Sequence, residues 1–391
     1  MSGHTHAGGR TSSADHGTRT RGPDVSLTSD GRPAAAEAPG SSAPGGGDPA
    51  NRAIVLTGPH RLSVEPVAMP RLRSGHVIVR TAYVGLCGSD ATLFDGSSVY
   101  LHEGLKQYPF VFGHEWSGSV HSVATDVADF AVGQRVVGHN FITCDTCAAC
   151  RSGHRNRCRN RSEMGILGPY PGAASEYFVV PAKVLAKLPG ELSSKTGALL
   201  EPGSTALHAM DRVGVRDDDV VAVFGTGALG LISIQLAKYF GATVHAVGID
   251  PAGLELALAL GADAVLSPDD AAHDTYTAVV ECSGAPRAIS QAASCLTAGG
   301  RLALVGIAHE PVDGFPAAQL VMKDATVRAV LSGIDQWDRL IGLAARGAVH
   351  LDPLLHAVVP YSEADRAFAM LLTPNRRRPK ILLEFAGEDR W

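Results

Sequence analysis

An α/β architecture, a β-rich first half feeding a doubly wound parallel sheet, is what three features of this chain predict. An apolar run ending at Phe224 leads into a turn carrying Gly225, Gly227 and Gly230, and an apolar helical pattern follows to Lys238. Strand-like and helix-like segments then alternate, the pattern that builds parallel sheets through crossover connections. Ahead of them, from Ala53 to about position 200, short β-like runs are split by Gly and Pro with no long helical pattern.

Taken in order, residues 1–50 are rich in Gly, Ser, Ala, Pro and Thr and hold almost no large apolar side chains. Such a segment cannot bury enough surface to offset its ordering entropy, so a disordered tail is expected, with His4, His6 and His16 solvated. Residues 51–204 are expected to form the β domain, with runs at Ala53–Leu56, Leu62–Glu65, His76–Val84, Gly118–Val123 and Arg135–His139. Helical patterning from Thr205 opens a second unit, 205–345. It holds the glycine turn, a strand at Thr243–Val247, a helix at Leu254–Leu260, and strands at Ala278–Cys282 and Arg301–Gly306 around a helix at Pro286–Leu296. Residues 346–391, with Ile381–Phe385 as a last strand, are too few for a core of their own and are expected to return to the first domain.

The chain has 391 residues and a net charge of -5, without a dense Lys/Arg block, which argues against nucleic acid as a partner. Arg376, Arg377 and Arg378 stand beside prolines and read as a solvated turn. No run approaches the ~18 consecutive apolar residues of a membrane helix. Seven cysteines, four of them within fifteen positions, suit metal binding in a reducing cytoplasm rather than a secreted disulfide framework.

Each constellation carries its own chemistry. In the glycine turn, Gly225 permits the tight bend, Gly227 lets backbone approach a pyrophosphate, and Gly230 lets helix pack on strand. Thr226, Ala228 and Leu229 complete the loop, whose free N–H groups and helix dipole face the phosphates. The spacing Cys144-x2-Cys147-x2-Cys150-x7-Cys158 can close a tetrahedron of thiolates around zinc, with no open position, and is therefore a structural site. Arg151, Arg155, Arg157 and Arg159 would offset its negative charge. A second set is dispersed: Cys87, His114 with Glu115, and Glu201. A thiolate, an imidazole and a carboxylate make a catalytic zinc set when a fourth position stays open. Alone, each is as well explained by packing; together with the cysteine loop and the dinucleotide turn, they are not.

In order and spacing, Gly85-Leu-Cys-Gly-Ser-Asp90, Gly113-His-Glu-Trp-Ser-Gly118, the four-cysteine loop, Glu201-Pro202 and Gly225-Thr-Gly-Ala-Leu-Gly230 resemble the zinc-dependent medium-chain alcohol dehydrogenases. The resemblance covers nearly everything after the tail. It implies a GroES-like β domain against a Rossmann domain, with a catalytic zinc in the cleft held by Cys87, His114 and either Glu115 or Glu201. With no cysteine between Cys158 and Cys282, the polyol branch is favoured. The same likeness assigns Ser89 to the proton relay and Asp90 to orienting His114. Thr92 stands where the family often has a relay histidine, which leaves that route open.

Gly248 occupies the position expected to carry an acid for the adenosine ribose; Asp250, two residues on, either serves there or caps the next helix. No Lys or Arg lies between Asp250 and Arg287 to hold a 2′-phosphate, which favours NAD and keeps NADP open. The implied activity is hydride transfer between NAD(P) and a secondary alcohol of the polyol, sugar or (amino)cyclitol type, with threonine-type amino alcohols as the alternative. The loop Asp95–Tyr108, with His102 and Glu103, is expected to border the substrate pocket. A homo-oligomer, dimer or tetramer, is the family's common state.

Overall fold

The computed structural model describes residues 51–308, 310–373 and 377–386, so the expected disordered tail, 1–50, and Arg376 of the basic turn lie outside the described residues. A seven-stranded, mostly antiparallel sheet is built on the long strand β1 (His76–Leu86), which runs into the short helix α1 (Gly88–Asp95). Beside β1 lies β2 (Glu115–Val123), then Arg135–Gly138 and Leu185–Lys187, while Tyr177–Pro181 also pairs with β1. A separate three-stranded sheet of Asn51–Gly58, Arg61–Val67 and Phe110–Val111 adjoins it. Val77, Val79, Val84, Trp116 and Val120 alternate inward from β1 and β2 onto Phe112 and Phe178, forming one core.

Helix α2 (Leu200–Val213) leads into the second half. It starts at Leu200 rather than at Thr205, so Glu201 and Pro202 sit in its first turn. A proline is tolerated there because the first N–H groups of a helix have no intrahelical acceptor. Six parallel strands follow: β3 (Val220–Phe224), β4 (Thr243–Val247), β5 (Ala264–Leu266), β6 (Tyr276–Glu281), β7 (Leu296–Leu304) and β8 (Thr326–Ala329). Their order in the sheet is β5-β4-β3-β6-β7-β8, with helices α3 (Ala228–Tyr239) and α4 (Pro251–Ala259) as the first two crossovers. This is the doubly wound Rossmann order. Both faces are covered: Val221 and Val223 of β3 enter one core, Ala222 and Phe224 another.

The chain then goes back. Strands β9 (Leu355–Pro360) and β10 (Lys380–Glu384) join the first sheet, β10 pairing antiparallel with β1 in the register Ile381↔Leu86 and Leu382↔Gly85. On its other side β1 sets Gly85 opposite Glu115. Three strand ends are thereby fixed at one place, and the chemistry gathers there.

Candidate active site

Cys87 follows the last residue of β1 and caps α1; its N–H donates to Asp90 Oδ2 at 2.9 Å. The other oxygen of Asp90 stands 3.5 Å from Nδ1 of His114, which directly precedes β2. Asp90 and Glu115 are 0% exposed and His114 3%. Ligand atoms of Cys87, His114 and Glu115 all lie within 4.8 Å of one another. Glu201 is not in that set, yet it is close enough for the charges of His114, Glu115, Lys380 and Asp90 to act on it. Burial first, with Glu115 and Asp90 behind it, pushes the Glu201 carboxyl up to about 7.

These groups suit a cation. Burial opposes a charge on His114, but Asp90 and the Cys87 thiolate outweigh it and hold a proton on the ring, which a divalent ion would replace. Glu115 Oε1 is buried and has no hydrogen-bond partner. A soft thiolate, an imidazole and a carboxylate are the donors that zinc takes in catalytic sites.

Two residues that sequence reasoning missed hold this arrangement. Lys380, at the start of β10, sends its ammonium group to Glu115 Oε2 and, at 2.9 Å, to the carbonyl of Leu86. Gly85 gives the Glu115 carboxylate room to lie over β1, because a Cβ at that position would stand 2.5 Å from Oε2. Gly85 opens the motif that carries Cys87, but only the register with β2 shows why it is glycine, and Lys380 has no local signature. A lysine before Ile381-Leu-Leu reads as an ordinary strand edge until the register with β1 is known.

Ser89 Oγ lies 3.9 Å from Cys87 Sγ, and both residues are half-buried. Thr92 donates its hydroxyl to the Ser89 carbonyl at 3.0 Å, a bond within the helix that spends it locally. On the loop expected to border the pocket, His102 and Glu103 are exposed. Tyr100 points inward instead, donating to Glu163 at 3.1 Å and feeling the charge of His114. Burial and Glu163 push the phenol up to about 12, and Glu163 is held in turn by Arg161 at 2.8 Å.

The four cysteines also converge. Their sulfur atoms lie within 4.8 Å of one another, with Cys147–Cys150 and Cys144–Cys158 both 3.5 Å apart. Four thiols and no bridging disulfide fit a closed zinc tetrahedron. Two of the surrounding arginines are otherwise engaged: Arg151 donates to the Thr146 carbonyl, and Arg155 pairs with Asp335 at 2.6 Å. With Asn156 donating to the Leu331 carbonyl at 3.1 Å, Arg155 ties the loop to the segment after β8.

At the glycine turn, Gly225 has φ +96, which only glycine adopts without strain, and a Cβ on Gly230 would run into the Gly225 carbonyl. A Cβ on Gly227, at the N-cap of α3, would meet nothing within 4 Å. Thr226, Ala228 and Leu229 lie between these points, so the loop is packed on one side and open on the other. Asp250 caps α4, its oxygens accepting from the N–H groups of Ala252 (3.3 Å) and Gly253 (3.1 Å). Asp250 therefore serves as the helix cap, because the first N–H groups of any helix lack an intrahelical acceptor and the proline at the first position has no N–H to satisfy.

Known proteins are similar to this chain over most of its length. Residues 73–190 match the alcohol dehydrogenase GroES-like domain, and residues 228–346 match the zinc-binding dehydrogenase family. D-xylulose reductase A of Aspergillus niger is 30% identical over 335 residues, 81% of this chain and 92% of the relative. Among solved structures, a zinc-binding dehydrogenase from Sinorhizobium meliloti 1021 bound to NADP is 27% identical with a TM-score of 0.80, over 86% of this chain and 100% of that one. Galactitol-1-phosphate dehydrogenase from Escherichia coli is 26% identical with a TM-score of 0.76, over 85% and 100%. With the strand-end cluster, the cysteine loop and the glycine turn in one chain, these similarities settle its kinship: it belongs to the zinc-dependent medium-chain alcohol dehydrogenases, in the branch that holds the D-xylulose reductases.

Proposed function

We propose that this chain oxidises a secondary alcohol of a polyol, sugar or cyclitol, and reduces the matching ketone, by hydride exchange with a nicotinamide dinucleotide. The observation that carries the reading is the gathering of Cys87, His114 and Glu115 donor atoms within 4.8 Å at the ends of β1 and β2. The named relatives act on xylulose and galactitol phosphate, which supports a polyhydroxylated substrate over an amino alcohol.

A zinc ion held by Cys87, His114 and a carboxylate, Glu115 or Glu201, supplies Lewis acidity that makes an alcohol hydroxyl acidic near neutral pH. The dinucleotide supplies the hydride acceptor. The chain's own residues do the rest. Asp90 Oδ1, 3.5 Å from Nδ1 of His114, attracts that side of the ring and leaves Nε2 to ligate. Ser89 takes the hydroxyl proton at Oγ and passes it outward; with Thr92 spent on a backbone carbonyl, the route runs to solvent or the cofactor ribose rather than through residue 92. Gly225 through Gly230 set the pyrophosphate at the start of α3. NAD is the favoured cofactor, supported by the lack of Lys or Arg between Asp250 and Arg287.

The same reading takes 51–204 with 346–391 as the catalytic domain and 205–345 as the nucleotide domain, supported by the membership of β9 and β10 in the first sheet. No described helix is long and apolar enough to cross a membrane. Seven cysteines without a disulfide support a cytoplasmic setting. The exposed edge strand β8, with Val321 81% and Met322 88% exposed nearby, supports a homo-oligomer, which sedimentation would test. The activity is tested on a panel of polyols, cyclitols and amino alcohols with NAD and NADP in parallel, following absorbance of the reduced cofactor. Turnover of polyols or cyclitols is expected; turnover confined to amino alcohols would reject the substrate class.

A further inference from the structure

Around the proposed metal position the chain places four groups that are anionic when ionised: the Cys87 thiolate and the carboxylates of Asp90, Glu115 and Glu201. A divalent ion offsets two of those charges. Lys380 brings a third positive charge from the far end of the sequence. Its side chain is 3% exposed, and the register Ile381↔Leu86 sets it across from Cys87. The ammonium group donates to the Leu86 carbonyl and to Oε2 of Glu115, leaving Oε1 buried and without a partner. Gly85 keeps the space into which this carboxylate lies.

We propose that Lys380 is a positioning residue of the metal centre: by taking one oxygen of Glu115 it fixes the carboxylate over β1 and holds the other oxygen towards the Cys87 and His114 donors. The inference rests on the zinc dehydrogenase reading above. A lysine serves here because a compact ammonium on a flexible stem can reach the carboxylate and the Leu86 carbonyl together. Its charge also makes the carboxylate a weaker but better-aimed donor, the part that outer partners play around metal ligands. Removing the charge frees Glu115 to turn and leaves the buried anions in excess.

The test compares the full-length wild type with Lys380→Met, which keeps length without charge, and Lys380→Arg, which keeps charge with a different reach. Zinc per chain is measured after competition with a chelator, and cobalt(II) is substituted to read ligand geometry from its visible bands; circular dichroism monitors the fold. The wild type is expected to hold roughly two ions and Lys380→Met to weaken one of them by about ten- to a hundredfold with displaced cobalt bands. Lys380→Arg should restore most of the affinity. A folded Lys380→Met with unchanged zinc competition and cobalt bands would overturn the proposal while the dehydrogenase reading stands. A wild type that binds only one ion, on the cysteine loop, would overturn both. Should Lys380→Met be insoluble, Lys380→Gln is measured in its place: weakened zinc competition with displaced cobalt bands supports the proposal, and wild-type competition and bands overturn it.

Discussion

The cysteine loop and the strand-end centre both offer zinc a set of donors, yet they are made in opposite ways. Cys144 to Cys158 lie on one loop, and only one of the four is buried. Its anchors are side chains rather than a sheet: Lys183 holds Asp145, Arg155 pairs with Asp335, and Asn156 donates to the Leu331 carbonyl. Cys87, His114 and Glu115 instead sit on strand ends whose registers are set by hydrogen bonding along the whole sheet. Lys380 reaches them across 265 residues of chain. The strand-end site is prepared by the sheet, whereas the loop relies on short-range contacts that a bound ion would close. The difference determines what each loses when a ligand is removed.

The largest effect is expected at the loop. Zinc binding to a closed thiolate site is worth on the order of 10 kcal/mol of folding free energy for the segment that holds it. Cys147→Ser should therefore give insoluble chain or a melting temperature lowered by many degrees. A soluble variant with unchanged melting would remove the contrast, because the loop would then be held by something other than its metal. Cys87→Ser should do the reverse. Catalysis should fall about a thousandfold or more, several kcal/mol of lost activation, with the melting temperature nearly unchanged. Full turnover in that variant would reject Cys87 as a ligand.

Gly85→Ala sharpens the comparison from the prepared side. Its methyl group would enter the space of the Glu115 carboxylate, against Ala198 O at 3.1 Å as well. A cost of about 1–3 kcal/mol in stability is expected from such overpacking, together with weaker zinc retention at the strand-end site alone. Equal zinc loss at both sites, read with cobalt, would mean that the two are not independently built.

What the sequence makes legible follows the same division. The cysteine loop is local, and its spacing is its signature. The glycine turn is local as well, and the alternation after it yields the parallel sheet. Cys87 and His114 sit in short motifs, so their residues can be singled out even though their meeting cannot. Lys380 has no such signal, since it acts through the pairing of β10 with β1; Gly85 opens the Cys87 motif, but its part depends on the pairing of β2 with β1. Tyr100 was passed over for its neighbours His102 and Glu103 because polarity marks a candidate, whereas only the turn of a short helix decides which side chain faces inward.

The effect that touches neither ligand set concerns His139, which precedes the cysteine loop in the chain. It is buried just after the strand Arg135–Gly138, and its Nδ1 has no partner. Burial first, then the charges of Arg155 and Lys183, push its pKa from 6.5 to about 4, while the Phe141 backbone and Asp335 pull the other way. A histidine held neutral in the native chain takes up a proton more readily when unfolded, so stability rises with pH through this window. It is lost as pH falls from the ordinary histidine range towards 4, by up to about 3 kcal/mol once both states are protonated. Thiolate ligands also release zinc in acid, so the wild-type slope alone cannot isolate this group. Denaturant titrations of the wild type and His139→Asn between those limits separate the terms. The variant should show the shallower pH dependence, by about 1.4 kcal/mol per pH unit where His139 is the only difference. Parallel slopes would mean that the ring is solvated in the native chain, against its burial.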